Sequence, residues 1–241
     1  MASPTSLLPI NVFPLVVADL VQRKIEAGGA ASDFFFVQIG AHDGVHYDPI
    51  RPFVEKYHWR GLLVEPQPEV YQRLVANYAS EPQLMFAKAA VAAQNGKATL
   101  YTFKKSPDLP DHASMLASFN LGALVHNGHG YKGEIEPIIV PALDLNTLLS
   151  KHKITQVDLL QIDTEGYDYE IIKLLATASI RPDIIHFESA FLSASGKVEC
   201  GEFLHSLGYR AVTIGNDTIA YRQTGDTDFE ETFANRGYTL S

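Results

Sequence analysis

The chain has 241 residues, 46% of them apolar and 20% charged, which is the composition of a folded domain and excludes a disordered or fibrous protein. Its net charge of −9 argues against nucleic acid or an anionic membrane as the main partner, because either needs a basic face. The single cysteine, Cys200, excludes an intrachain disulfide framework and fits a reducing, cytoplasmic setting.

Near the start, Leu15, Val16, Leu20, Val21 and Ile25 recur at helical spacing, and Gly28-Gly29 closes the pattern. Pro9, Pro14, Asp19 and Arg23 interrupt the apolar stretch, so neither a targeting segment nor a membrane span is expected. Phe34 to Ile39 then reads as a buried strand that stops at Gly40-Ala41-His42-Asp43-Gly44. Asp48 to His58 reads as a helix, Gly61 to Val64 as a strand ending on Glu65, and Pro68 to Ala79 as a second helix. Leu84 to Ala92 is expected to be a third strand, and Asn95-Gly96 a turn into a strand over Lys97 to Phe103.

Periodicity is lost from Lys104 to Glu136, a stretch with two prolines, four glycines and three histidines. So long a connection is expected to be a lid or binding loop. Order resumes with Ile138 to Val140, a short helix capped near Asp144, and a buried strand over Val157 to Ile162. After Asp163-Thr164-Glu165-Gly166 come a helix from Tyr167 to Ala178 and a strand from Asp183 to Phe187 ending on Glu188. A helix over Gly201 to Leu207 and a hairpin around Gly215-Asn216-Asp217 complete the pattern. Strands alternating with helices predict an α/β protein with a mainly parallel sheet, and the hairpin reverses the last strand. Three regions are expected: an N-terminal helical extension over 1–32, a domain over 33–223 with a lid over 104–136, and a polar tail over 224–241.

The glycine turn and the acid after the next strand suggest a nucleotide pocket. A tight turn admits the ligand to the backbone, and Glu65, 21 residues beyond Gly44, is placed to receive ribose hydroxyls. A pyrophosphate cofactor prefers three glycines in that turn. Here Gly40 and Gly44 stand with an acid, Asp43, which favours the cationic end of S-adenosylmethionine over NAD.

Three segments carry a more specific likeness: Gln38 to Gly44, Val64-Glu65-Pro66-Gln67-Pro68, and Val157 to Tyr167 with its Ile162-Asp163-Thr164-Glu165-Gly166 block. In this order they resemble the signatures of the FkbM-type S-adenosylmethionine-dependent methyltransferases. Ala89-Ala90-Val91, Asn95-Gly96 and Leu143-Asp144 also sit where that family has similar residues. The resemblance implies the class I methyltransferase (Rossmann-like) architecture, a seven-stranded, mainly parallel sheet with an antiparallel last strand and helices on both faces. It implies methyl transfer, most often to a hydroxyl of a small molecule or sugar. The departures are Gln161, where a lysine is common, and Ser114-Met115, where paired serines are usual.

Carried over by motif, Gln38, Gly40, Ala41, Asp43, Gly44, Glu65, Pro66, Ala90 and Asp163 are the expected cofactor contacts. Asp163 and Glu165 are the expected catalytic pair, orienting or deprotonating the acceptor. Read as structure alone, Asp163 would cap the next helix. His112, His126 and His129 of the loop are rival bases. Asp163 and Glu188 at neighbouring strand ends suit a divalent cation, but no metal site is assigned. Two other functions remain in view, an NAD-dependent oxidoreductase and a non-catalytic binding protein that keeps the fold. A homo-oligomer stays open.

Overall fold

In the computed structural model, residues 13–127, 131 and 133–222 are described. The expected tail over 224–241 and His129 lie outside them, as do the side chains of His112, Ser114 and His126.

The framework is a seven-stranded sheet of order β10-β11-β9-β8-β1-β2-β3. Its strands are β1 (Phe35–Ile39), β2 (Arg60–Val64), β3 (Leu84–Ala87), β8 (Leu159–Ile162), β9 (Ile184–Glu188), β10 (Tyr209–Ile214) and β11 (Asp217–Arg222). β3, β2, β1, β8 and β9 run parallel, while β11 enters antiparallel between β9 and β10. This is the expected class I methyltransferase sheet. The central strands are largely apolar because both of their faces are covered.

Strand alternation divides the core. Val37, Ile39, Leu160, Ile162, Ile185 and Phe187 face one cluster, with Leu145, Leu148 and Leu149 of α5 (Leu145–Lys151), Ile171 and Ile172 of α6 (Asp168–Leu174) and Leu204 of α7 (Ala194–Ser206). Phe34, Phe36, Leu159 and Ile184 face the other. There they meet Trp59, α2 (Arg51–Tyr57) and α1 (Phe13–Glu26), which buries Phe13, Val16, Val17 and Val21. Asp158 fastens α1 to the sheet: its carboxylate takes Lys24 Nζ at 2.7 Å and the Phe35 amide at 2.6 Å. Gln38, Gln161 and His186 alternate with the apolar residues of this second face and are register partners across β1, β8 and β9.

Several expected boundaries move. The helix expected from Asp48 begins at Arg51, because the Asp48 carboxylate accepts from the amides of Ile50 and Arg51 and so stays ahead of it. The C-terminal helix begins at Ala194 rather than Gly201, with Ser193 Oγ accepting from the Gly196 amide. Leu84 to Ala92 is two strands, since β4 (Ala90–Val91) leaves the main sheet.

A second sheet of order β4-β7-β5-β6 had not been expected. β5 (Gly96–Phe103) pairs antiparallel with Ile135 to Ala142 of β7 (Ile135–Leu143), so the irregular stretch is shorter than its sequence implied. Within it stand a 3₁₀ helix (Asp111–Met115), β6 (Ala117–Ser118) and α4 (Leu121–Asn127). Pro137 and Pro141 lie inside β7, and only pairing with distant strands offsets their low strand propensity.

Candidate active site

At the carboxyl ends of β1, β2 and β8 lies a cleft with about 990 Å³ of empty space, open solvent at its mouth included. It sits at the switch point between β1 and β8, where open α/β sheets bind ligands. Gln38, Gly40, Ala41, Glu65, Pro66, Ala90, Asp163 and Glu165 all line it, so these expected residues come together.

Gly40 makes the convergence possible. Its φ is +81°, and a Cβ there would stand 1.7 Å from the Asp163 carbonyl oxygen, so no other residue lets the ends of β1 and β8 approach this closely. The amides of Gly40 and Ala41 both donate to the Val64 carbonyl at 3.0 Å, which pins the turn beside Glu65.

Glu65 is 4% exposed, and its carboxylate accepts from the amides of His42 at 3.1 Å and Gln67 at 2.8 Å. Burial pushes its pKa up to about 8, against the pull of those two amides and with a push from the Asp43 charge. Gln38 is buried as well. Its Nε2 donates to Asp48 at 3.1 Å, which leaves Oε1 without a partner. An unmatched buried acceptor on a cavity wall calls for a ligand donor.

Two expected contacts are not on the wall. Asp43 turns into its own loop, where Oδ1 accepts from the amides of Val45 and His46 and Oδ2 meets His46 Nδ1 at 2.7 Å. Burial pushes this carboxyl up, but the His46 amide and imidazole, the Val45 amide and the His42 ring outweigh it and hold the pKa down at about 2. Asp43 is therefore held by its own loop rather than turned toward the cationic end of a ligand. Gly44, at φ +72°, relieves packing: a Cβ there would meet the Tyr78 ring at 2.5 Å.

Asp163 is open to the water of the cleft although protein surrounds it. That enclosure, together with the charges of Glu165, Asp168, Glu188 and Asp217, raises its pKa well above the carboxylate range. It does not serve the following turn. Asp168, 2% exposed, accepts from the Thr164 hydroxyl at 3.1 Å and from the amides of Thr164 and Gly166 at 3.4 and 3.3 Å. Glu165 has φ +55°, and its carbonyl takes the Ser118 hydroxyl at 2.7 Å, tying the second sheet to the site. Glu188 is pushed up to about 8 by burial and then by Glu165, Asp168 and Asp217. Among the described residues no group of three or more His, Cys, Asp or Glu is arranged to hold a metal ion.

The sequence pattern missed the far wall. Met115, Leu116, Ala117 and Phe119 line the cleft, placed by Gln67 Nε2 donating to the Met115 carbonyl and Thr102 Oγ1 donating to that of Leu116 at 2.8 Å. Only the family position at Ser114-Met115 hinted at this wall, and the other residues carry no local signal, because contacts with α3 (Pro68–Asn77), its leading residue Gln67 and β5 set their positions. His46 and Tyr47 also line the mouth, and only the motif's loop hinted at them.

Residues 38–211 match the family described as Methyltransferase FkbM domain. The chain belongs to this FkbM methyltransferase family. No curated protein matches it. Among solved structures, the chain is similar to a FkbM methyltransferase from Methylobacillus flagellatus KT at 8% identity, over 79% of this chain and 44% of that one, with a TM-score of 0.45. It is also similar to precorrin-6y C5,15-methyltransferase from Geobacter metallireducens GS-15 at 11% identity, over 92% and 93% of the two chains, with a TM-score of 0.42. The METTL16 MTase domain gives 12% identity over 92% and 70%, with a TM-score of 0.47.

S-adenosylmethionine is the cofactor that an FkbM domain implies, and the protein is a methyltransferase dependent on it. The cleft fits that group: it offers a buried carboxylate for a diol, an unmatched buried acceptor for an ammonium, and a bare backbone turn at Gly40. Among the described residues, no helix is long and apolar enough to cross a membrane.

Proposed function

We propose that the enzyme methylates a hydroxyl group of a small molecule or sugar. S-adenosylmethionine supplies the methyl group, activated on a sulfonium. A hydroxyl attacks such a carbon well only as its proton departs, so a base poised near neutrality is the group to look for. The observation that carries the reading is Asp163, a cleft carboxyl whose proton affinity is raised by enclosure and by Glu165 and its acidic neighbours.

In this reading Glu65 accepts from the ribose hydroxyls, and Gly40, Ala41 and Gln38 border the amino-acid arm. Ala90 and Pro66 flank the base with the apolar wall of Met115, Leu116 and Phe119. Asp163 takes the acceptor's proton and Glu165 orients the acceptor. The stretch over 104–136 covers the acceptor within a domain over 33–223, a role supported by the part of it already on the cleft wall. The chain's acidity and a cleft rather than a basic groove favour a compact acceptor over a polynucleotide. The lone Cys200, buried, suits a cytoplasmic setting.

The test is S-adenosylhomocysteine formation with monosaccharides and phenols, and with RNA oligomers as controls. Turnover with hydroxyl compounds that falls at least about tenfold in Asp163→Asn supports the reading. Methylation of the RNA, or an unchanged kcat in that variant, refutes it.

A further inference from the structure

Gln161 replaced an expected lysine and has no place in the reaction as described so far. It is the register partner of Gln38 on one side and of His186 on the other, so three buried polar side chains run in a row across the centre of the sheet. The two outer partners fix which way each carboxamide faces. Asp48 only accepts, so Gln38 turns its Nε2 to Asp48, and its Oε1 is left buried and unpartnered in a residue that lines the cleft. Tyr78 holds Asp48 in place by donating to its other oxygen at 2.7 Å. On the next strand, Gln161 Oε1 is hydrogen-bonded to His186 Nδ1, which leaves the Gln161 amide N–H groups for the cleft that it lines.

His186 suits this task. It is 7% exposed and stacked on Phe13 at 4.2 Å between centroids, and burial lowers its pKa to about 4, so the ring is neutral. A neutral ring facing a carbonyl oxygen carries its proton on that nitrogen. Two neighbouring residues of the cleft lining, register partners across β1 and β8, therefore hold one unpartnered acceptor and one free donor.

We propose that Gln161 and Gln38 together grip the amino-acid arm of the S-adenosyl nucleoside. Gln38 Oε1 accepts from its ammonium, Gln161 Nε2 donates to its carboxylate, and His186 is the positioning residue that holds the Gln161 amide in this sense. The proposal rests on the cofactor reading above and adds to it a division of labour along the ligand.

Calorimetry with two probes tests it: S-adenosylhomocysteine, and 5′-methylthioadenosine, which keeps the nucleoside and sulfur but lacks the arm. Gln161→Leu raises the Kd for S-adenosylhomocysteine about tenfold or more and leaves that for methylthioadenosine within about twofold. Gln161→Glu keeps the size and polarity of the side chain, guards against a folding defect, and weakens the first probe further by repelling its carboxylate. His186→Leu gives a smaller loss on the same probe, and His186→Asn, which keeps a donor, restores affinity. Equal weakening of both probes in the Gln161 variants, or unchanged binding of S-adenosylhomocysteine, overturns the proposal. If the wild type binds neither probe, the cofactor reading fails first and takes this proposal with it.

Discussion

Replacing Glu65 with glutamine should change stability and cofactor binding in opposite ways, with a pH dependence that identifies the cause. In the unfolded chain this carboxyl ionises near its ordinary 4.5, and in the folded protein burial raises it to about 8. The native state therefore holds an extra proton between those values. The stability contributed by this group is full below 4.5 and is lost as pH rises through about 8. A displacement of that size corresponds to roughly 5 kcal/mol as an upper bound.

Urea unfolding of the wild type should accordingly show stability declining from pH 5 to 8. Glu65→Gln should make that slope shallower, leaving the part that the raised carboxyls of Glu188 and Asp163 contribute, and should match or exceed the wild type at pH 8. Ribose hydroxyls donate to the ionised form, so S-adenosylhomocysteine should bind more tightly as pH rises toward about 8, releasing a proton as it binds. Calorimetry in two buffers of different ionisation enthalpy measures that proton. The variant should bind about tenfold or more weakly, with no proton released. A flat affinity profile in the wild type, or a stability slope that the substitution leaves undiminished, would show that Glu65 is already ionised in the empty cleft and refute the reasoning.

Gly40→Ala should abolish S-adenosylhomocysteine binding and cost more than about 3 kcal/mol of stability, since the new methyl collides with the Asp163 carbonyl; near-wild-type thermal unfolding would contradict this. Asp43→Asn should cost roughly 1–3 kcal/mol by loosening the His42–His46 loop. The wild-type contribution of Asp43 is present above its unfolded value of 3.8 and is lost as pH falls through about 2, so acid unfolding of the variant should lack that component. Asp158→Asn should cost about 1–3 kcal/mol and raise amide exchange in α1 ahead of the rest, because one carboxylate joins Lys24 to the start of β1.

The local sequence made the main sheet, its central helices and most of the cleft's inner wall legible. Largely apolar runs over Phe34 to Ile39 and Val157 to Ile162 satisfy buried parallel strands, and the turn after Phe34 to Ile39 needs glycine at Gly40. The same motifs led Asp43 to be read as a ligand contact, because sequence spacing cannot say which way a side chain turns. Whether its carboxylate meets a ligand or its own loop is decided by amides at Val45 and His46 and the imidazole of His46. The wall from Met115 to Phe119 and the pairing of Gly96–Phe103 with Ile135–Leu143 were not legible either. Nothing in a proline-interrupted stretch forecasts a strand until distant residues supply its hydrogen bonds.

What the chain determines by itself, then, is the strands of the main sheet, the helices that cover it and where the backbone must bend at Gly40, since these follow from apolar period and steric allowance at single residues. Tertiary structure alone decides which polar groups are left unmatched once those segments assemble. Gln38 Oε1 and the raised carboxyls of Glu65 and Asp163 arise from burial, and burial is a property of neighbours far away along the chain.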